Sequence, residues 1–428
     1  MSFDAKFNPS VIFLFMLSQN YLLQSDCFIF PSIIYPMRNI LILFSLIFST
    51  NLFGQQIQLS ENAHIGVITC APFQGELYSA FGHSAIRVYD PVNRIDFAYN
   101  YGTFDFNQPN FYLNFTRGNL LYKLSVQSYP DFRYYYLYYN RWVHEQIIDL
   151  NQEQKQKLFE YLQWNAQPEN QQYLYDYFYN NCATKIRDVF AEALGEKIKF
   201  DDSYITTDYT IRDLTELYLQ EQPWGDLGID VCLGLPMDKK ANPYDYMFLP
   251  DYIESSFNHA SIITENGTKP LVKKTITSAP PGEPMVFDSA PHPWTVFGTL
   301  LLAVIGITFL DFKRKKPSKW LDITLLFITG AIGCLLFVLW VATDHKAAAN
   351  NFNLLWAFPT NLIAAFMLFG KSKAIFKKYF GFLTGLTLLL LITWVLLPQQ
   401  LNVFLIPVVI ALAIRYGLNY YLRIKAYI

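Results

Sequence analysis

The sequence predicts an exported α+β domain followed by an all-α membrane domain of five spans. Residues 55–264 are polar and rich in tyrosine, whereas residues 294–428 consist of long apolar runs separated by short basic loops. The whole chain is 52% hydrophobic and only 16% charged, against about 25% charged residues in an ordinary soluble domain. Residues 265–293, with an excess of glycine, proline, serine and threonine, are interpreted as a linker.

The N-terminal segment has the pattern of a secretory signal. Arg38 precedes an apolar stretch, and small and polar residues follow before Gln55. This order predicts a signal peptide over residues 37–54, with residues 1–36 a mis-called extension upstream of the true start. The alternative is that residues 1–54 form a membrane anchor.

Five apolar runs near the C-terminus each approach the ~20 residues that a helix needs to cross a bilayer. They cover residues 294–311, 320–341, 352–370, 379–397 and 401–422. Lysines and arginines cluster after the first, third and fifth runs, and the other two loops carry one lysine between them. The three basic segments therefore lie on one side when the spans alternate. This side is the cytoplasm, and the C-terminus lies there. Arg415 lies inside the last run, and we expect it to snorkel to the cytoplasmic surface.

Composition excludes some partners and cofactors. A net charge of −2 and the lack of a long basic patch give no reason to expect nucleic acid. Of the five cysteines, Cys70, Cys182 and Cys232 lie in the exported part, and no CxxC motif suggests zinc. No metal or other cofactor is expected. The sequence leaves open whether Cys70 and Cys232 form a disulfide, which would leave Cys182 as the odd thiol.

The exported part contains recognisable strands and helices. Alternating apolar residues predict strands over residues 65–70, 83–89 and 94–99. Helical periodicity predicts helices over Gln152–Asn165 and Cys182–Leu194, with Asn181 as the N-cap of the second.

Cys182 and His83 are the candidate catalytic pair. A thiol at a helix N-terminus has its pKa lowered by the helix dipole, which favours the nucleophilic thiolate. His83 follows Gly82 and begins a strand, where it could serve as the base. From chemistry alone, a structural cysteine and a structural histidine are the more common outcome.

Two segments carry a resemblance to known enzymes. Gly82-His83-Ser84-Ala85-Ile86-Arg87-Val88, paired with Tyr179-Asn180-Asn181-Cys182-Ala183-Thr184, resembles the permuted papain-like enzymes such as lecithin retinol acyltransferase. There the histidine strand precedes the cysteine helix, the reverse of the order in NlpC-type peptidases. More closely, the chain resembles the Bacteroides-type lipoprotein N-acyltransferases of the Bacteroidota, the Lnb family. The matching segments are residues 69–72, 77–83, 100–106, 181–184, 343–345 and 353–356.

This resemblance implies a function and roles for particular residues. Cys182 would be the nucleophile and His83 the base, with Asn100 or Asp96 as the third residue that orients the imidazole. Asn181 would either contact an oxyanion or, as we favour, cap the helix. The enzyme would sit in the bacterial inner membrane with its catalytic domain in the periplasm. It would move a fatty acyl chain from a membrane phospholipid onto a diacylglyceryl lipoprotein.

The outward loop 343–356 is a candidate substrate-binding segment. Asp344, His345, Asn353 and Trp356 would lie near lipid head groups, where they could hold a head group or the lipoprotein N-terminus. An ordinary solvated turn is the alternative.

Two other functions remain open for the whole chain. A papain-like cysteine peptidase or amidase acting on the cell envelope would use the same pair, although five spans argue against it. A non-enzymatic envelope sensor or assembly protein would not need the Cys182 thiol.

Overall fold

The computed structural model describes residues 57–105, 107–265, 267–279, 290–370 and 375–425. The predicted extension 1–36 and signal peptide 37–54 lie outside the described residues. The described residues from Leu59 onward belong to one compact unit, so the exported and membrane parts pack against each other.

A seven-stranded antiparallel sheet forms the centre of the exported part, with the strand order β10-β5-β1-β2-β3-β4-β6. A second sheet has the order β7-β8-β9. The strands are β1 His64–Cys70, β2 His83–Asp90, β3 Ile95–Thr103, β4 Leu120–Ser128, β5 Val143–Ile148, β6 Gln172–Tyr175, β7 Ile198–Lys199, β8 Ser261–Thr264, β9 Gly267–Pro270 and β10 Val272–Ala279. The three predicted strands correspond to β1, β2 and β3.

Helices cover both faces of the large sheet. They are α1 Phe111–Arg117, α2 Tyr129–Tyr138, α3 Gln152–Asn165, α4 Cys182–Leu194, α5 Ile211–Glu216, α6 Pro223–Cys232, α7 Pro243–Tyr246 and α8 Pro250–His259. Helix α4 packs on β2 and β3 through Ile186, Val189 and Phe190, which are all buried. Alternate residues of the same strands pack on α2. Helices α3 and α4 have the predicted bounds. Each buries one apolar face, which produces the helical periodicity of apolar residues seen in the sequence.

The predicted linker 265–293 is wrong for much of its length. Residues 267–270 form β9, and β10 pairs with β5 at the edge of the large sheet. The side chains of residues 273–277 are exposed, so β10 has no buried face that would produce an apolar alternation. A polar edge strand of this kind protects the sheet from further pairing, and it has the composition of a linker.

The membrane part contains four helices long and apolar enough to span a bilayer among the described residues. Its helices are α9 Pro293–Arg314, α10 Lys319–Val341, α11 Thr360–Leu368, α12 Ile375–Thr393 and α13 Ile406–Lys425. The third predicted run differs from the prediction, because a 3-10 turn over Phe352–Leu355 precedes the short α11. Pro359, which has no N–H to donate, separates the two.

Arg415 does not snorkel. Its side chain is about 1% exposed and lies between Asp311 of α9 and Asp322 of α10. Nη1 lies 2.7 Å from Asp311 Oδ2, and Nη2 donates to Ser318 O at 3.1 Å. The guanidinium therefore ties three membrane helices together. The expectation of snorkelling was wrong. The two carboxylates that pair with Arg415 belong to other helices, so the pattern within its own helix did not reveal them.

The loops between the spans hold the exported domain through the C-terminal end of α6. Asn351 Nδ2 donates to Val231 O at 2.8 Å, and Gln399 Nε2 donates to Leu233 O at 2.9 Å. Such side chains satisfy the carbonyls that a helix end leaves unpaired. This arrangement fixes the exported domain relative to the outer ends of the spans.

Candidate functional site

The structure brings Cys182 and His83 together. Cys182 is the first residue of α4 and His83 is the first residue of β2. Because α4 packs across β2, its N-terminus presents the thiol to the start of that strand. Each side chain shifts the pKa of the other, so the two groups lie near one another, and both side chains are partly exposed. The helix and the strand that carry the two residues therefore meet, and the thiol–imidazole contact stays a prediction.

The two groups shift the pKa of one another toward the thiolate and the imidazolium. Burial raises the pKa of Cys182, but the charge and hydrogen bond of His83, with the backbone N–H groups of Ser84 and Ala183, lower it below its ordinary value. Burial lowers the pKa of His83, but the Cys182 charge and hydrogen bonds to Cys182 and Asn100 raise it above its ordinary value. Opposite shifts in two neighbouring groups are typical of an activated nucleophile and its proton partner.

Asn100 hydrogen-bonds the His83 ring. Its Oδ1 accepts a hydrogen bond from His83 Nε2 at 2.6 Å, which leaves Nδ1 as the ring nitrogen available to the thiol. Asp96 lies farther along β3 and accepts two hydrogen bonds from Arg87, at 2.7 and 3.0 Å. Asp96 was therefore the wrong candidate. It lies four residues from Asn100 on the same strand, and at about 3.3 Å per residue this places its side chain too far from His83 for a hydrogen bond.

Asn181 caps the helix that carries the thiol. Its Oδ1 accepts from Thr184 N at 2.9 Å, and its Nδ2 donates to Tyr177 O and Phe248 O at 2.9 and 2.7 Å. Both Nδ2 hydrogens are thus occupied by protein carbonyls. Capping is therefore confirmed, and the two carbonyl contacts favour it over an oxyanion contact.

One wall of the site was not predicted. Cys70 lies opposite His83 in the β1–β2 pairing, and the Tyr136 ring stacks on His83 with a centroid distance of 6.4 Å. The Arg141 guanidinium lies 4.6 Å from the centre of the Tyr136 ring, and its Nε donates to Ala71 O at 2.7 Å. The tyrosine run around residue 136 was visible in the sequence, but only packing selects which ring faces His83.

Cys70 and Cys232 do not form the disulfide left open by the sequence. Both are free thiols. Burial raises the pKa of each above that of an ordinary thiol, so neither shares the activated state of Cys182.

The opposite wall is built around Gly102. Its φ of +89° is in the left-handed region that favours glycine, and a Cβ there would lie 3.4 Å from Cys182 Cβ. The pairing of β3 with β4 shifts register between Asn100 and Thr103, which brings this glycine beside the thiol. Tyr175 lies next to it, within 3.8 Å of the same Cβ position. Tyrosines at residues 173, 175 and 177 alternate as in a strand, a signal that could have identified this wall.

A cavity of about 240 Å³ extends from Tyr175 to the membrane part. The loop from Asp344 to Ala348, at the outer end of α10, forms its other side. Asp344 N donates to Arg117 O at 2.8 Å, and His345 Nε2 donates to Phe115 O at 3.1 Å. The loop therefore lies against the exported domain beside the Cys182 site, as expected.

Asn353 and Trp356 have a different position from the one expected. Asn353 is fully buried, and its Nδ2 donates to Asp230 O at 3.2 Å. Its Oδ1 accepts from Trp356 Nε1 at 2.9 Å. Neither lines the cavity beside Tyr175, because Asn353 belongs to the contact between the loop and α6.

The chain was compared with family models, curated proteins and solved structures. The model described as Lnb N-terminal periplasmic domain matches residues 55–217, and the model described as Lnb transmembrane domain matches residues 286–427. No curated protein and no solved structure matches the chain. The two matches indicate a membrane-associated lipoprotein maturation enzyme with a periplasmic N-terminal domain. Since they cover well over half of the sequence in consecutive order, the chain belongs to the Lnb-type lipoprotein N-acyltransferase family.

Proposed function

We propose that this protein N-acylates bacterial lipoproteins, using an acyl chain from a membrane phospholipid and a Cys182 thioester. The observation that carries the proposal is the position of the Cys182–His83–Asn100 group. It lies next to a cavity whose far side is the outer end of a membrane helix. A water-soluble substrate would not require this position, but two lipid substrates would. The order of histidine strand and cysteine helix supports a permuted papain-like fold for the exported domain.

The first step forms the acyl-enzyme. The Cys182 thiolate attacks the ester carbonyl carbon of the phospholipid, and the bond between that carbon and the glycerol oxygen breaks. The His83 imidazolium gives its proton to the departing oxygen, which releases a lysophospholipid. Cys182 then carries the acyl chain as a thioester, and His83 is neutral.

The second step transfers the chain. The α-amine of the lipoprotein's lipid-modified N-terminal cysteine attacks the thioester carbonyl, and the carbon–sulfur bond breaks. His83 accepts the proton that the amine loses, which restores the thiolate–imidazolium pair. Asn100 holds the ring in one orientation through both proton transfers, and Gly102 leaves open space beside the sulfur.

Contacts of the loops support five crossings and a cytoplasmic C-terminus. Asp344, after α10, and Asn402, before α13, both bond the exported domain, so both lie outside. Helix α12 ends just before Asn402 on the outer side, so it begins on the cytoplasmic side. Asn351 lies on the outer side, so the chain must cross the membrane between Asn351 and the start of α12. The apolar helical segment Phe352–Leu368 is the part that crosses, at the short end of the range for a span. The three basic segments that follow the first, third and fifth apolar runs then face the cytoplasm.

Mass spectrometry of lipoprotein N-termini tests the proposed reaction. Cells with the native protein should carry an amide-linked acyl chain on the N-terminal cysteine. Cells with Cys182→Ala should carry a free α-amine. Cys334→Ala is the matched control, because this free thiol lies in α10 away from the site, and it should behave as wild type.

Two results would contradict the proposal. Full N-acylation in Cys182→Ala cells would favour the sensor or assembly protein. An unchanged lipoprotein N-terminus with altered peptidoglycan fragments would favour the peptidase or amidase.

A further inference from the structure

A second and larger cavity lies within the membrane part. It is a groove of about 680 Å³ between α9, α10 and α13, and α6 of the exported domain covers its outer end. Its lining is almost wholly apolar, with leucine, isoleucine and valine side chains from all three membrane helices. Trp356, which does not reach the cavity beside Tyr175, lines this groove instead.

The groove runs along α10 and adjoins the cavity that reaches Tyr175. Along α10 it extends from Trp320 to Leu336, which is about 24 Å at 1.5 Å per residue, against a hydrocarbon layer of about 30 Å. Cys232, at the end of α6, lines both this groove and the smaller cavity that reaches Tyr175. The two cavities therefore adjoin at Cys232.

We propose that the groove holds one acyl chain of the phospholipid donor, with the ester end directed past Cys232 toward Cys182. This inference rests on the proposed function and names the part of the protein that selects the chain. A hydrocarbon chain fits because the lining offers almost no hydrogen-bonding group, which a head group or peptide would need. The volume lies within the range of ~300–1,000 Å³ that is usual for a single bound ligand.

Gly228 provides a way to obstruct the outer end of the groove without disturbing its walls. It lies on the face of α6 that lines the groove, and a Cβ added there would have no heavy atom within 4 Å. A larger side chain therefore has open space to enter. Gly306 of α9 is the matched control, because a Cβ there also meets nothing within 4 Å and the residue does not line the groove.

The test uses the full-length protein in vesicles with a diacylglyceryl lipopeptide as acceptor. The vesicles contain equal amounts of phosphatidylethanolamines with short, medium and long saturated chains. Mass spectrometry measures which chains become amide-linked. Ala303→Phe enters the groove from α9, deeper than α6, and should shift the product toward shorter chains, by about fourfold for each methylene that no longer fits. Gly306→Leu should leave the wild-type distribution.

A second variant protects the test against a folding defect at Ala303. Gly228→Leu obstructs the outer end of the groove and should lower the transfer of every chain length. An unchanged chain-length distribution in Ala303→Phe, or wild-type transfer in Gly228→Leu, would overturn the acyl-chain site. If the wild-type protein transfers no chain to the lipopeptide, the proposed reaction itself fails, which is a different result.

Discussion

Cys182 has a lowered pKa while the buried thiol of Cys70 has a raised one, and this contrast can be measured. We expect iodoacetamide to alkylate Cys182 well below pH 9, which is the ordinary pKa of a thiol, because alkylation requires the thiolate. Cys70 should stay unmodified in the folded protein. In His83→Ala, the pH midpoint of Cys182 alkylation should rise, since the imidazolium no longer stabilises the thiolate. An unchanged midpoint would contradict the ion pair.

The same pair determines the pH dependence of the acylation step. The thiolate is lost as pH falls through the lowered pKa of Cys182, and the imidazolium is lost as pH rises through the raised pKa of His83. A bell-shaped rate profile is therefore the expected outcome of single-turnover measurements. Its alkaline limb should lie above the ordinary imidazole pKa of 6.5.

Variants of Asn100 and Asp96 distinguish a role in orienting the His83 base from a role in stabilising β3. Asn100→Ala removes the hydrogen bond to a charged imidazole, worth about 1.5–3 kcal/mol, so kcat should fall by about 10- to 150-fold. Asp96→Ala is the control on the same strand, and it should keep kcat while it lowers thermal stability through loss of the Arg87 pair. Equal loss of kcat in both variants would show that Asn100 has no specific role.

At the scale of elements, α6 connects the exported domain to the membrane loops through acidic side chains. Burial and the nearby Asp230 raise the pKa of Asp226 to about 6, although Asn402 and Arg212 oppose the shift. A carboxyl whose folded pKa exceeds its unfolded value binds more protons when folded. Its contribution to stability is therefore largest at low pH and is lost as pH rises through about 6.

The pH dependence of this connection can be tested with a neutral side chain. Between about pH 5 and pH 8, the Tm of the wild-type protein should fall by more than that of Asp226→Asn, because asparagine cannot ionise. Asn keeps the shape of the side chain facing Asn402, so packing is conserved. The same fall in Tm for both proteins would exclude Asp226 as the titrating group.

For the whole molecule, the buried Arg415 forms ion pairs with two carboxylates inside the membrane part. Arg415→Leu leaves Asp311 and Asp322 as buried carboxylates without their cation. Removing one partner of a buried ion pair costs about 3–5 kcal/mol, so we expect a lower Tm and poorer recovery of the protein from membranes. The triple variant Arg415→Leu, Asp311→Asn, Asp322→Asn should recover much of this stability, since no unpaired charge remains. If the triple variant is no more stable than the single one, charge pairing is not the cause.

The helices and strands that depend on local sequence pattern could be predicted from the sequence alone. The helix Cys182–Leu194 was predicted with its bounds because Asn181 caps it and one face is apolar. The start of β2 at His83 was predicted because a glycine precedes an alternating strand. The apolar runs of α9, α10, α12 and α13 were visible because a span needs many consecutive apolar residues.

The tertiary structure decided everything that depends on residues distant in the chain. It selected Asn100 over Asp96 and paired Arg415 with two aspartates. It also converted part of an apparent linker into the edge strand β10. Hydrogen bonds and ion pairs act over only a few ångströms, and their partners here come from different elements. Periodicity in a sequence records which face of an element is buried, but it does not record which residue of another element meets that face.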